Sequence, residues 1–384
     1  MKSFIMFFII VIALFAIGNT YIYIRSYQAL ELFGSRFRLY YSIVFWVVAL
    51  LFIFTHIVRL PGSGWVDALN TIGSYWIAVM LYAFLLLLLI DIFRIIGWIG
   101  AIKPAFIYAN YPLSKLVLFG ISAFILTIIL TIGYRNARYP QVTRLEIPVT
   151  KQAGNLKELK IAMVSDVHLG HTAGNRFLGR VVDRINDLEP DVVLLAGDVF
   201  DGSPEPVIRK NMGAEFERLK STYGTFAISG NHEYIGEREM KGGSKKAFDY
   251  LTSHHVTVLL DSVVLVDSSF YIAGRKDYSR RPRQSLKELL GATSNDLPVI
   301  ALDHQPYHLD EAEQAGVDLQ LSGHTHHGQL WPISWITKRI YEKDWGYLQK
   351  GNAHFYVSCG VGTWGPAVRT AGHSEIVFIR MTFE

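Results

Sequence analysis

The chain has 384 residues, with 37 Lys and Arg against 33 Asp and Glu, so its formal net charge is +4. The charges are uneven: residues 1–134 hold 8 basic and 3 acidic residues, and residues 135–384 hold 29 and 30. This composition excludes a single soluble domain, a disordered chain and a disulfide scaffold. It also excludes a generally basic nucleic-acid-binding protein, because the positive excess lies in the apolar third.

Four apolar runs in residues 1–134 predict four transmembrane helices. They cover about 3–24, 40–58, 72–90 and 116–134. Each run has roughly the 20 residues that a helix needs to cross a hydrocarbon core of ~30 Å. Aromatic and basic residues at the run ends, such as Tyr23 and Arg25, are typical of a membrane interface. We therefore expect a multi-pass protein of the cell membrane, with the lipid bilayer as its partner.

The basic residues near the spans divide almost equally between the two sides of the membrane. Arg135 and Arg138 directly after the last span, together with Lys2, favour a cytoplasmic C-terminal domain. Intramembrane charge is nearly absent, so no ion pathway is predicted. We interpret His56 and Asp91, which lie at span ends, as interfacial side chains. The sequence does not define the oligomeric state.

The remainder of the chain is predicted to be a linker at 135–157 and a domain at 158–384. In this domain short apolar runs, such as LKIAMVSD at 159–166, alternate with amphipathic stretches. Strands that alternate with helices and are followed by strand-rich segments predict an α/β layered domain with mixed β-sheets flanked by helices. A domain of about 230 residues can bury a full core.

Polar residues of metal-binding types follow the predicted strands in five blocks. The blocks are Asp166 with His168, Asp198 with Asp201, Asn231 with His232, His304, and His324 with His326. Sites form at strand ends in open α/β sheets, and side chains two residues apart share a strand face, so we expect convergence. Gly197, Gly230 and Gly323 allow close backbone approach. Imidazole and carboxylate ligands suit Mn²⁺, Fe or Zn²⁺ rather than Ca²⁺.

These blocks resemble the calcineurin-like metallophosphoesterase superfamily, whose pattern runs Asp-x-His, Gly-Asp-x-x-Asp, Gly-Asn-His-(Asp/Glu), a lone His and Gly-His-x-His. The resemblance covers about 155–384. Ser165 departs from it, since many members have Gly there. The segments GHTHHGQLWP at 323–332 and YVSCGVGTWGPAVR at 356–369 resemble the membrane-associated branch, near bacterial enzymes that act on envelope lipids or other phosphoesters.

The resemblance implies a role for each residue of the five blocks. Asp166, His168 and His326 would hold one metal ion, Asn231, His304 and His324 a second, and Asp198 would bridge the two. His232 would face the phosphate and could protonate the leaving oxygen. Asp201 would orient His232, although a role as a turn residue in VFDG is equally open.

The implied chemistry is phosphoester or pyrophosphate hydrolysis by a membrane-anchored phosphoesterase. Two divalent ions, Mn²⁺ first with Fe or Zn²⁺ as alternatives, would lower the pKa of a bridging water, and the resulting hydroxide would attack phosphorus. A lipid-linked phosphoester is the candidate substrate, and monoester and phosphodiesterase activities are both open. The alternative is a transporter or receptor-like membrane protein with a regulatory phosphoesterase domain, which the lack of intramembrane charge disfavours.

Other segments carry weaker signals. His327 and Trp331 are candidate substrate contacts, although a solvated His327 is the favoured interpretation. The aromatic segment 331–347 suits a membrane interface that presents lipid head groups, or equally a packed specificity loop. The basic loop 275–283 could hold an anionic head group, but a solvated face is favoured.

Overall fold

The computed structural model describes residues 2–57, 64–100, 104–239 and 242–384. The chain forms two compact units, Met1–Ile132 and Gly133–Glu384. The first contains helices α1 (Lys2–Ala29), α2 (Ser35–Ile57), α3 (Gly64–Ile99), α4 (Ala105–Ala109) and most of α5 (Tyr111–Arg138).

Four of these helices are long and apolar enough to cross a membrane, over Ile9–Ala29, Ser35–Thr55, Gly64–Ile99 and Tyr111–Arg138. This confirms the four predicted N-terminal apolar helices. Residue 58, at the end of the second predicted run, lies outside the described residues. Helix α3 has 36 residues and extends well beyond the predicted run at 72–90, because helix-compatible residues flank the apolar run on both sides.

The acidic residue near the end of α3 is paired within this first unit. Asp91 accepts a hydrogen bond from the Tyr21 hydroxyl at 2.6 Å and forms ion pairs with Arg25 at 2.6 Å and Arg94 at 2.9 Å. Because Arg25 and Tyr21 belong to α1, the carboxylate ties α1 to α3. These contacts give Asp91 a structural role.

The second unit contains two mixed sheets with flanking helices. Its strands are β1 (Gln141–Val149), β2 (Glu158–Val164), β3 (Val192–Leu195), β4 (Thr225–Ile228), β5 (Val256–Leu259), β6 (Ser262–Val266), β7 (Phe270–Gly274), β8 (Val299–Leu302), β9 (Leu319–Ser322), β10 (Gly346–Lys350), β11 (Ala353–Val357) and β12 (Glu375–Phe383). Its helices are α6 (Asn175–Asn186), α7 (Glu205–Arg209), α8 (Asn231–Glu239), α9 (Gly243–Ser253), α10 (Leu286–Leu289), α11 (Leu309–Gln314) and α12 (Ser334–Ile340).

The two sheets have six strands each, in the orders β1-β12-β2-β3-β4-β5 and β10-β11-β9-β8-β7-β6. Leu194 and Ile228 of the first sheet and Ile300 of the second belong to one buried cluster, so the sheets pack face to face. Val193, one residue from Leu194, belongs instead to a cluster with α6 on the outer face, as strand alternation requires. The predicted α/β layered domain with mixed sheets is confirmed.

Residues 135–157 differ from the predicted linker, because they contain the end of α5 and strand β1. Strand β1 pairs in parallel with β12 over its full length, from Gln141 opposite Glu375 to Val149 opposite Phe383. One face of β1 enters the core through Ile147, while Glu146 faces solvent. Charged residues and a proline such as Pro148 are typical of an edge strand, and they hid the strand pattern.

Replacing Ile147, which is 1% exposed, should show that β1 is part of the folded domain. We expect Ile147→Ala to destabilise the second unit by about 2–5 kcal/mol, through lost apolar contact and the cavity left behind. The neighbouring Glu146→Ala, with a side chain 82% exposed, should stay within about 0.5 kcal/mol of wild type. Urea unfolding of the full chain, followed by tryptophan fluorescence, measures both. Equal stability of the two variants would favour a linker.

Candidate metal centre

The loops that follow β2, β3, β4, β8 and β9 meet at one end of the two sheets. Strands β2, β3 and β4 are parallel neighbours, and so are β8 and β9, so their carboxyl ends lie together within each sheet. Each of these loops carries one of the five polar blocks. The topology therefore brings residues that are far apart in sequence to one place, as strand ends in α/β proteins commonly do.

Most of the histidine and aspartate residues of the site lie beyond the strands, in left-handed backbone. Strand β2 ends at Val164, and φ is 54° at Asp166 and 50° at His168. Asp198 and His326 have φ values of 52° and 48°. Convergence therefore comes from tightly turned loops, and not from the alternation of side chains along a strand that the sequence analysis assumed. Such conformations cost about 1–3 kcal/mol each, which the surrounding contacts must offset.

Glycine is required where two of these loops touch a carboxylate. A Cβ atom on Gly230 would lie 2.1 Å from Asp198 Oδ1, and one on Gly323 would lie 2.3 Å from Asp166 Oδ2. Both distances are far inside van der Waals contact. The close backbone approach expected at Gly230 and Gly323 is present.

One potential metal-binding group consists of Asp166, His168 and His326, whose nearest ligand atoms all lie within 4.8 Å of one another. The Nε2 atoms of His168 and His326 are 3.0 Å apart, and His326 Nε2 is 3.3 Å from Asp166 Oδ1. Burial lowers the pKa of His326 to about 4, which leaves its imidazole neutral at neutral pH. A neutral imidazole nitrogen that faces a carboxylate is well suited to ligate a cation.

A second group consists of Asp198, His304 and His324, and Asp198 also belongs to a third group with His168 and His232. His304 Nε2 lies 3.1 Å from Asp198 Oδ2, while its Nδ1 lies 2.8 Å from the carbonyl oxygen of Ala196. That backbone contact orients the ring with Nε2 toward the site.

Four buried atoms of this region make no well-aligned hydrogen bond with the described residues, namely Ser165 Oγ, Asn231 Oδ1, His232 Nδ1 and His304 Nε2. Buried polar atoms are almost always bonded, so these atoms point to missing partners. An amide oxygen and an imidazole nitrogen are both ordinary ligands of divalent cations, and Asp198 lies beside both loops. The donor set therefore fits divalent cations.

The buried carboxylates are stabilised as anions by several neighbours. Burial by itself would raise the pKa of Asp198, but the imidazoles of His304, His232 and His168 hold it well below its usual range. The backbone N–H of His232 donates to Asp198 Oδ1 at 2.8 Å, and that of His324 donates to Asp166 Oδ1 at 3.0 Å. Both carboxylates are therefore charged in the folded protein.

Asp201 lies behind two of the imidazoles. Its Oδ1 is 3.1 Å from His168 Nδ1 and 3.3 Å from His232 Nδ1. Burial would raise the pKa of Asp201, but hydrogen bonds to these imidazoles lower it to about 2. Burial would lower the pKa of His232, but Asp198 and Asp201 outweigh it and raise the pKa to about 9. Asp201 is thus placed to orient His168 as well as His232.

Glu233 is a structural residue of the site to which the sequence analysis gave no role. Its Oε2 accepts backbone hydrogen bonds from Gly230 at 2.7 Å and Asp198 at 3.2 Å, and its Oε1 accepts one from Phe200 at 3.0 Å. The carboxylate therefore fastens the loop after β3 to the loop after β4. Its signal was present in the sequence, since Glu233 completes the Gly-Asn-His-Glu block.

Arg369 is a second residue without an assigned role, although it ends the segment YVSCGVGTWGPAVR. Its buried guanidinium donates to the carbonyl oxygens of His326 at 3.3 Å and Gly362 at 2.6 Å. Its Nη2 also lies 3.2 Å from His326 Nδ1. Arg369 therefore fixes the backbone and the ring of His326 from behind.

The two candidate substrate contacts occupy different environments. His327 is buried, with Nδ1 2.8 Å from Asp344 Oδ2 and its ring 4.8 Å from that of Trp345, so it is not the solvated side chain that was favoured. Trp331 is largely exposed and packs edge-on against Trp335, with the ring centroids 5.4 Å apart. Their contact with substrate stays a prediction.

The close approach at Gly323 gives a direct test of the metal centre. We expect Gly323→Ala to displace the Asp166 carboxylate and to lower the amount of metal retained after loading with Mn²⁺, measured by elemental analysis after gel filtration. Gly174→Ala is the control, because its nearest neighbour would be Met212 Cε at an ordinary 3.9 Å. Circular dichroism checks that both variants fold. Unchanged metal content in Gly323→Ala would speak against this centre.

Comparison with known proteins agrees with the geometry. The family model for the calcineurin-like phosphoesterase matches residues 159–328. A protein described as an uncharacterized metallophosphoesterase from Campylobacter jejuni is 29% identical over 98% of both chains. Another from Aquifex aeolicus is 31% identical over 58% of this chain and 84% of that protein. A transmembrane protein with a metallophosphoesterase domain from Danio rerio is 32% identical over 67% of this chain and 61% of that protein. This relative and the four apolar helices support a membrane protein. The chain belongs to the calcineurin-like metallophosphoesterase family.

Proposed function

We propose that this protein is a membrane-anchored phosphoesterase that uses two divalent metal ions to hydrolyse a phosphoester or pyrophosphate bond. The observation that carries the proposal is the convergence of three potential metal-binding groups. His168 belongs both to the group with Asp166 and His326 and to a group with Asp198, and Asp198 belongs in turn to the group with His304 and His324. The unpartnered buried atoms Asn231 Oδ1 and His304 Nε2 support it, because a second cation would satisfy both.

Seven residues would hold the two ions. Asp166, His168 and His326 would bind one, Asn231, His304 and His324 would bind the other, and Asp198 would bridge them. When bound, the ions supply an activated water and neutralise negative charge on the phosphoryl oxygens. The nitrogen and oxygen donors suit Mn²⁺, with Fe or Zn²⁺ as alternatives.

His232 and Asp201 would act on the proton of the leaving group. Asp201 holds the Nδ1 side of the His232 ring, so Nε2 is available to donate a proton to the departing oxygen. The nearby carboxylate of Asp201 favours the protonated ring that a general acid requires. Asp91 does not support the alternative of a transporter. Arg25 and Arg94 form ion pairs with its carboxylate, which gives Asp91 a structural role.

If His232 is the general acid, its removal should lower turnover without affecting metal binding. His232→Ala should retain both ions but lower kcat on bis-p-nitrophenyl phosphate by about 10²–10⁴, as expected for loss of a general acid. Asn231→Ala should lose one ion together with activity. The full chain, purified in detergent and loaded with Mn²⁺, is assayed on this diester and on p-nitrophenyl phosphate.

The exposed His255, which has φ of 63°, provides a matched control for that experiment. His255→Asn removes an imidazole far in sequence from the five blocks and suits left-handed backbone, so it should behave like wild type. Equal, metal-independent turnover by wild type, Asn231→Ala and His232→Ala would refute the proposed mechanism.

An exposed apolar helix beside the site supports a lipid-linked substrate. In α12, Trp335, Ile336 and Ile340 are 60%, 58% and 57% exposed, and Lys338 and Arg339 lie in the same helix. Aromatic and aliphatic side chains next to cations are typical of a surface that binds the membrane interface.

Thr337 in α12 and Tyr341 directly after it connect this helix to the surroundings of the metal centre. The Thr337 hydroxyl donates to Asp344 Oδ2 at 2.8 Å, and the same carboxylate oxygen holds His327. Tyr341, directly after the helix, has its ring 6.2 Å from that of His324. A lipid bound at α12 would therefore lie near the metal-binding residues.

A comparison of a lipid substrate with a soluble one distinguishes lipid binding at α12 from hydrolysis at the metal centre. We expect a variant combining Trp335→Ser and Ile336→Ser to lose at least about tenfold in turnover of phospholipid in vesicles, because each side chain contributes apolar contact. Turnover of bis-p-nitrophenyl phosphate should be unchanged. Leu265→Ser, in β6 and also exposed, is the control. Unaltered phospholipid turnover in the double variant would argue against lipid contact at α12.

A further inference from the structure

A basic cavity of about 200 Å³ lies in the second unit, apart from the two metal-binding groups. Its lining includes three arginines, two tyrosines and a histidine, namely Arg275, Arg281, Arg283, Tyr278, Tyr307 and His308. Four of these belong to the loop 275–283, for which a solvated face was favoured from sequence. The structure instead folds this loop around a partly open cavity.

Two of the arginines are nearly buried and form ion pairs. Arg275 and Arg283 both bond to Asp303 Oδ2, and Arg275 also pairs with Glu311 at 3.0 Å. The two carboxylates therefore balance the charges of these two arginines, and among the lining arginines the positive charge of Arg281 remains.

Arg281 carries that remaining charge. Its guanidinium lies over the ring of Tyr278, 5.4 Å from the centroid, and no carboxylate in the described part of the chain pairs with it. The adjacent Arg280 differs, because it forms an ion pair with Glu237 at 2.5 Å. A guanidinium presents a planar set of donors that matches the oxygens of a phosphoryl group.

Two tyrosines connect the cavity lining to the metal centre. Tyr307, in the cavity lining, lies three residues after His304, and its hydroxyl donates to that of Tyr341 at 3.2 Å. The ring of Tyr341 in turn lies 6.2 Å from that of His324. One tyrosine therefore stands between the cavity and a proposed metal ligand.

The basic loop is also fastened to the loops that carry the site. Gln305, next to His304, donates to both carboxylate oxygens of Asp277 at 3.0 and 2.9 Å. The backbone N–H of Asp277 donates to Ser229 Oγ at 3.1 Å, two residues before Asn231. The cavity is therefore held in a fixed relation to the residues proposed to bind the second ion.

We propose that this arginine cavity is a second anion-binding subsite, which holds a phosphoryl group of the substrate other than the one that is hydrolysed. The inference rests on the proposed phosphoesterase function and narrows its substrate class to compounds with two phosphoryl groups. The metal centre binds the scissile group, and Arg281 binds the other.

The test compares non-hydrolysable ligands on the Mn²⁺-loaded full chain by isothermal titration calorimetry. A series of α,ω-alkane bisphosphonates, with two to six carbons between the phosphorus atoms, is measured against alkyl monophosphonates of the same lengths. At least one bisphosphonate should bind wild type about tenfold more tightly than its monophosphonate, because the second group gains charge-assisted contacts.

Arg281→Ala should reduce this preference to about the twofold that two equivalent end groups provide. Arg280→Ala is the matched control and should keep the full preference. The subsite is refuted if no bisphosphonate binds wild type more than twofold better, or if the preference persists in Arg281→Ala. A preference that depends on Arg281 in a protein without turnover would support the anion site and refute the phosphoesterase function instead.

Discussion

Asp166 and Asp198 are charged carboxylates buried at the junction of two β-sheets, and most of the surrounding structure compensates that burial. Removing a carboxylate from water costs several kcal/mol unless opposite charges and hydrogen bonds replace the lost hydration. Backbone N–H groups of His324 and His232 supply part of this compensation. The imidazoles supply lone pairs as well as charge, and two divalent cations would satisfy carboxylates, imidazoles and Asn231 together.

The loops that carry the site adopt strained backbone conformations. Parallel strands deliver the loops to one end of the sheets, but the final approach needs left-handed backbone at residues such as Asp166 and His168. Glu233 and Arg369 hold these loops through buried hydrogen bonds. Both residues lie outside the proposed set of ligands, yet removing either would leave backbone groups beside the site without partners.

Much of this could be predicted from sequence, because the signals are local. Apolar runs identify the membrane helices, and the five polar blocks identify which loops meet. The rest depends on partners distant in the chain. Strand β1 is recognisable only once β12 covers its edge, and Arg369 gains its role only when the fold brings it behind His326. The cavity around Arg281 could not be predicted for the same reason. The basic loop forms a cavity only together with distant residues such as Tyr307 and Glu311.

The proposed chemistry depends on the position of Asp198, whose Oδ2 lies 3.9 Å from His168 Nε2 and 3.1 Å from His304 Nε2, one histidine from each proposed ion site. Electron paramagnetic resonance of the Mn²⁺-loaded full chain reports it, because two ions joined by one carboxylate are magnetically coupled. We expect the spectrum of an exchange-coupled pair with two Mn²⁺ per chain in wild type, and loss of the coupling in Asp198→Asn. A wild-type protein with a single, uncoupled Mn²⁺, or with none, would show that these residues do not form a two-metal centre.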